Sequence, residues 1–193
     1  MPRNPPTVTL ALAASLIAVW AWMAWRLGDP LTASHTAAEM ARLGAPVGGR
    51  VALASAWTLV ACQWLHVKAL HMALNVACLL ALGALLEPRL GGLRLIAVWL
   101  IAGTIGVAAS AVLEAGLGLS GASQAVAGLA GLALVRWRWE RPHPLALAIA
   151  AGAVLVVIFG IDLAFAGAPK PGHLAGLLAG AVLGLLPSRP SPG

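Results

Sequence analysis

Three separated fragments of this chain carry side chains able to do covalent chemistry: HMALN at His71–Asn75, GASQ at Gly121–Gln124 and GHLAGLLAG at Gly172–Gly180. Together they hold a hydroxyl at Ser123, imidazoles at His71 and His173, and a carboxamide at Asn75. A serine hydroxyl is a weak nucleophile until a base takes its proton, and a neutral imidazole near pH 7 can do this. His71 and Asn75 are four residues apart, so on a helix they project from one face. Such donors, with the backbone N–H of Ser123, would hold the oxyanion of a tetrahedral intermediate. These are the parts of a serine hydrolase. Each fragment lies in a stretch apolar enough for lipid, where polar side chains are expensive to keep without a purpose. The chemistry expected is peptide-bond hydrolysis inside a membrane.

Composition sets the solvent. Hydrophobic residues are 61% of the chain and charged residues 9%, against about 25% charged in a soluble domain. Mean hydropathy is +0.92. Lipid must be the surroundings, and 193 residues make one domain, 1–193, with room for several spans of about 20 residues. The net charge of +6 forms no basic run or basic helix, so nucleic acid is not expected; the arginines flank membrane segments. Cys62 and Cys78 are read as free thiols.

Six apolar runs predict an all-α membrane bundle of six transmembrane helices with short terminal tails. They are Thr7–Trp25, Ala69–Leu86, Leu95–Leu113, a run within Leu117–Val135, Pro144 to about Ile161, and Gly172–Leu186. Backbone polar groups in lipid must be paired internally, and no period-two alternation suits a barrel. Trp20, Trp22, Trp25 and Arg26 follow the first run where a signal peptide would have small residues, so it reads as a retained anchor. The long first outer loop, Arg26–Lys68, has an apolar second half. There Trp57 and Trp64 stand seven residues apart, predicting a helix over Val51–Leu65 lying in the outer interface. With both termini cytoplasmic, Arg3, Arg89, Arg94, Arg136, Arg138, Arg141 and Arg189 lie inside. Arg26, Arg42, Arg50, Lys68 and Lys170 lie outside, several of them scattered in the long loop, so the short-loop bias favours N-in and C-in.

Alternate helices enter from the same side. Runs two, four and six therefore all begin at the outer face, which places His71, Asn75, Ser123 and His173 at similar depth. Gly172, Gly176, Gly180 and Gly184 form a stripe at every fourth residue, and Ser123, Ala127 and Gly131 repeat that spacing. Small residues so spaced let two membrane helices approach closely. If the stripes face each other, Ser123 and His173 come within hydrogen-bonding reach.

With these motifs in this order, the chain resembles the rhomboid intramembrane serine proteases of the minimal six-helix bacterial type. The matches are HxxxN (His71, Asn75), the upstream His66, and the pattern Gly83, Glu87, Gly91. GxS (Gly121, Ser123) and HxxGxxxG (His173, Gly176, Gly180) complete them, covering most of the chain from Trp57 onward. The resemblance implies a Ser123–His173 dyad without an acidic third member. It also implies an oxyanion site from His71, Asn75 and the Ser123 amide, and no cofactor or metal. Substrates would be single membrane helices cut near the outer face, here of a bacterial inner membrane. Two positions depart from the pattern. Gln124 follows the serine where the family usually has Gly, and Thr58 follows Trp57 where the family often has Arg.

Rival readings are a non-catalytic rhomboid-like binder of membrane helices, a small transporter or proton relay using His71, His173 and Asp162, and a rhombosortase-like processor of sorting tails. Asp162, which could complete a triad with His173, is read instead as an interfacial carboxylate at the outer end of the fifth run. Glu87 is read as a helix-end contact at the cytoplasmic side. His35 and His143 are loop residues, and His66 and Gln124 are accessory candidates at the site.

Overall fold

Each apolar run folds as a helix, because in so apolar a chain only a local hydrogen-bond ladder satisfies the backbone. This computed structural model describes residues 5–28, 32, 34–46, 56–114, 119–140 and 144–187. Arg3, Asp29, Arg50, the stretch 51–55, Leu117, Arg141, His143 and Arg189 lie outside the described residues. The helices are α1 (Thr7–Leu27), α2 (Ala37–Arg42), α3 (Thr58–Ala61), α4 (Ala69–Leu90), α5 (Gly92–Leu113), α6 (Ser123–Trp139), α7 (Leu145–Ala166) and α8 (Pro171–Leu185). Among them α1, α4, α5 and α7 are long and apolar enough to cross a membrane. The other two expected spans are shorter: α6 has 17 residues and α8 has 15, roughly 25 Å and 22 Å of rise.

Three boundaries differ from the run lengths. Helix α4 passes through Pro88 and stops at Leu90, where Gly91 takes φ +81° before α5 starts at once. Helix α6 begins at Ser123 itself, so the preceding residues 119–122 are not helical. Helix α7 runs to Ala166, which places Asp162 inside the helix rather than beyond its end.

Helix α6 is the centre of the bundle. Every residue from Ser123 to Ala133 is buried. Its small side chains let α8 and α5 approach to backbone contact. A methyl at Gly180 would overlap the Gly128 carbonyl oxygen, and one at Gly176 the Gln124 carbonyl oxygen. From Gly176 onward the glycine stripe of α8 therefore does face α6, but against Gln124, Gly128 and the turn of Leu132 and Val135, while Gly172 faces Gly106 and Ser110 of α5. The expected register had Ser123 and Ala127 in the first two places. Turning Ser123 one position off the seam leaves its hydroxyl directed at a side chain of α8 instead of at backbone. Gly180→Ala is expected to cost about 1–3 kcal/mol by overpacking. Thermal unfolding in detergent measures this.

Charged groups close the end remote from Ser123. Glu87 accepts from the N–H groups of Val8 (2.9 Å) and Thr9 (2.7 Å) and from the Thr9 hydroxyl (2.7 Å), satisfying the orphan donors that open α1. The helix-end contact expected of Glu87 is thus a cap on a different helix. Arg94 and Arg136 donate to the Leu186 carbonyl at the end of α8, at 2.7 and 2.9 Å.

Of the helix expected over Val51–Leu65, residues 51–55 lie outside the described residues, and the rest is no continuous helix but the single turn of α3 followed by a 3-10 turn at Cys62–Trp64. Trp57 is exposed, whereas Trp64 turns inward onto Trp99 and donates to Ser15, so the two tryptophans do not share a face. The loop descends because residues 119–122 need partners. Leu119 N–H donates to the Pro46 carbonyl (2.9 Å), Gly121 N–H to the Cys62 carbonyl (3.0 Å) and Ala122 N–H to His66 Nε2 (3.4 Å). Non-helical backbone among apolar helices is kept only where such partners exist.

Candidate active site

Ser123 is the first residue of α6, His173 the third of α8 and His71 the third of α4. All three, with Asn75, line one cavity of about 140 Å³. Its wall also carries Cys78, Ser110, Glu114, Ser120, the exposed Lys170 and a set of apolar side chains from α4 and α7. Ser123 and His173 are buried.

Ser123 Oγ lies 2.7 Å from His173 Nε2, and His173 Nδ1 lies 2.7 Å from Asp162 Oδ2. A carboxylate only accepts, so Nδ1 carries the proton and donates to Asp162. Nε2 of the neutral ring is then a lone pair, and the Ser123 hydroxyl donates to it. One tautomer satisfies both contacts, and it is the one a general base requires.

Asp162 corrects the sequence reading. It is 1% exposed and turned into the bundle, where an interfacial carboxylate would face the headgroups. The reason is the length of α7. The helix continues one turn past Asp162, Gly167 turns the chain at φ +72°, and α8 starts back against α5 and α6 with His173 in its first turn. Asp162 Oδ2 also accepts from the Lys170 N–H (3.0 Å), the residue that caps α8, so one oxygen is held by two donors.

Across the cavity, Asn75 is buried and one N–H of its amide donates to the His71 carbonyl (2.9 Å). Its other N–H remains for a ligand. The His71 ring packs on Gly121, which has φ +108°; a methyl there would come within 2.6 Å of His71 Cε1. The N–H groups of the first turn of α6 have no acceptor within the helix, since the first ladder bond runs from Val126 N–H to the Ala122 carbonyl. His71, Asn75 and the Ser123 amide thus come to one cavity.

His66 is fully buried between the first loop and α6. Its Nδ1 contacts the Trp64 carbonyl (3.1 Å) while Nε2 accepts from Ala122 N–H, so the neutral Nδ1–H tautomer satisfies both. Burial pushes its pKa down to about 4. A folded value below the unfolded 6.5 means that stability is full above pH 6.5 and falls as acid protonates the unfolded chain first. Protonation would also remove the acceptor for the amide next to Ser123. Relative to His66→Gln, the native chain is expected to lose about 2 kcal/mol more stability between pH 7.5 and pH 5. Paired melting curves at the two pH values test this; parallel losses would contradict it.

The Rhomboid domain model matches residues 53–190 of this chain. The chain belongs to the rhomboid family. Rhomboid proteins are in general intramembrane serine proteases. Among its relatives is RHOMBOID-like protein 7 of Arabidopsis thaliana, 29% identical over 160 residues, which are 78% of this chain and 49% of that protein. Rhomboid-like protease 5 of Toxoplasma gondii is 33% identical over 131 residues, 66% of this chain and 16% of that protein. RHOMBOID-like protein 2 of Arabidopsis is 33% identical over 138 residues, 67% and 42% of the two chains. The chain therefore spans about half or less of the length of these relatives.

The two departures from the rhomboid pattern have structural counterparts. Gln124 packs its Cβ and Cγ on α5, where only glycine at 106 leaves room, and its Oε1 lies 3.4 Å from Ser123 Oγ. That contact is too long to compete with His173 for the hydroxyl proton. At Trp57-Thr58 the loop is fixed without an arginine at position 58. Gln63 donates to Thr104 Oγ1 (3.3 Å) and His35 N–H to the Val67 carbonyl (2.8 Å).

Proposed function

We propose that this rhomboid is an active intramembrane serine protease that cuts a peptide bond in or near a transmembrane helix of a membrane-protein substrate. The observation that carries this is the 2.7 Å contact between Ser123 Oγ and His173 Nε2, inside a cavity that also holds His71 and Asn75. Ser123 Oγ attacks the scissile carbonyl carbon as His173 Nε2 takes its proton. The carbonyl oxygen becomes an oxyanion, held by the Ser123 N–H, Asn75 and His71. Collapse breaks the C–N bond, His173 returns the proton to the leaving amine, and an acyl-Ser123 remains. Water, deprotonated by His173, adds to the acyl carbon and releases the carboxylate product and the free serine.

The six helices α1, α4, α5, α6, α7 and α8 would all cross the bilayer, α6 sheathed by the others and α8 turning Leu174, Leu178 and Val182 outward. Both termini would be cytoplasmic and the Ser123 cavity would open toward the outer face. Arg89, Arg94, Arg136 and Arg138 gather at the helix ends remote from Ser123, which favours this orientation. Purified protein reconstituted with a single-span reporter tests the proposal. The expected result is one cut near the outer end of the reporter helix by wild type only, with Ser123→Ala inert. Tight reporter binding with no cleavage by wild type would instead make the chain a non-catalytic binder.

A further inference from the structure

We infer that Asp162 is the positioning residue of a Ser123–His173–Asp162 triad, so that this chain runs its chemistry with a buried carboxylate behind the base. The inference rests on the protease reading of Ser123 and adds a third member to it. Three observations meet at Asp162. Its Oδ2 is 2.7 Å from His173 Nδ1, on the side of the ring opposite Ser123. The two side chains are almost closed to solvent, at 0% and 9% exposure, so the contact is little screened. The carboxylate is itself fixed by the Lys170 N–H at 3.0 Å, and so cannot swing away from the ring.

The geometry assigns two tasks. Accepting from Nδ1–H selects the tautomer that leaves Nε2 able to take the Ser123 proton. When that proton arrives, the imidazolium lies beside a fixed negative charge, and the charge is worth more to the transition state than to the resting enzyme. No proton moves to Asp162 in either step. The rival role is structural, because the same oxygen receives the amide that opens α8 and thereby holds the α7–α8 turn.

Asp162→Asn separates the roles. The amide oxygen, in the place of Oδ2, can still accept from both Lys170 N–H and His173 Nδ1–H, so folding and the tautomer are preserved, but the negative charge is gone. Two readouts are needed. The first is the rate at which a fluorophosphonate labels Ser123 in wild type and variant, beside kcat and KM on a single-span reporter. Labelling and kcat are expected to fall about 10²–10⁴-fold with KM and melting temperature little changed. The second needs no turnover: in 15N-histidine-labelled protein, His173 should give a far-downfield Nδ1–H proton resonance that persists in Ser123→Ala and moves upfield in Asp162→Asn, where the acceptor is neutral. Equal labelling rates in wild type and Asp162→Asn, or a wild type without that resonance, would overturn the triad while leaving the nucleophile intact. Failure of wild type to label at Ser123 would overturn the protease reading and the triad with it. Loss of melting temperature with a normal kcat in the folded fraction would make Asp162 a turn-holding residue only.

Discussion

Ser123→Ala and His173→Ala are each expected to lower cleavage of a membrane-helix reporter to background, a loss of about 10⁴–10⁶ in kcat. The two losses should be of similar size, and the double variant should be no worse than either. A nucleophile and its base act as a unit, so removing one member strands the other. Both variants should fold. Ser123 exchanges one buried hydroxyl for a hydrogen, and in His173→Ala the carboxylate of Asp162 keeps its Lys170 N–H partner. Additive losses, each of ten-fold or so, would mean that the 2.7 Å contact is packing and that the reaction runs elsewhere.

Asn75→Ala is expected to lower kcat by roughly 10²–10³, about 3–4 kcal/mol of transition-state stabilisation, with KM nearly unchanged. Its donor is needed mainly when negative charge develops on the scissile oxygen. His71→Ala should act in the same direction. One complication is visible in the structure: Asn75 also donates to the His71 carbonyl, so its loss frees a carbonyl in the first turns of α4. If that bond were all that Asn75 supplies, the variant would melt earlier with a normal kcat in the folded fraction. Melting temperature and kcat read on the same samples separate the two, and an intact kcat would remove Asn75 from the oxyanion site.

Much of this architecture is legible in the residues because membrane helices are written in long apolar runs. Counting from the start of each run also brings Ser123, His173, His71 and Asn75 to one depth, and the glycine stripe of α8 points to its contact with α6. What the residues conceal is set by small geometric offsets. Whether Ala127 or Gly128 faces α8 is one residue of helix rotation, about 100°, and periodicity in a uniformly small-residue helix does not fix it. Asp162 is hidden by a boundary. An aspartate after the apolar run reads as the start of a loop, yet α7 continues to Ala166 and the Gly167 turn folds Lys170 and His173 back onto it. The one available signal was the short spacing of Asp162 to His173 across a Gly-Pro-rich turn. The first loop eludes periodicity for a different reason. Its placement follows from the non-helical amides at residues 119–122, more than fifty residues away in sequence, which the carbonyls of Pro46 and Cys62 and the His66 ring accept.

Burial also separates the other nucleophile in the first loop from the reaction. The Cys62 thiol is pushed up to about 12 by desolvation, so it is neither a thiolate nor a competitor for Ser123 at neutral pH. Among the hydroxyls of the cavity wall, Ser123 is the one in contact with an imidazole base, so reactivity toward phosphonylating reagents is expected there.

The central claim is that Ser123 is a nucleophile activated by His173. Its most direct measurement is mass spectrometry of the protein after treatment with a fluorophosphonate in detergent or liposomes. A single adduct on the peptide containing Ser123, absent from Ser123→Ala and from His173→Ala, is the predicted result. An adduct at another residue, or undiminished labelling of Ser123 in His173→Ala, would contradict it.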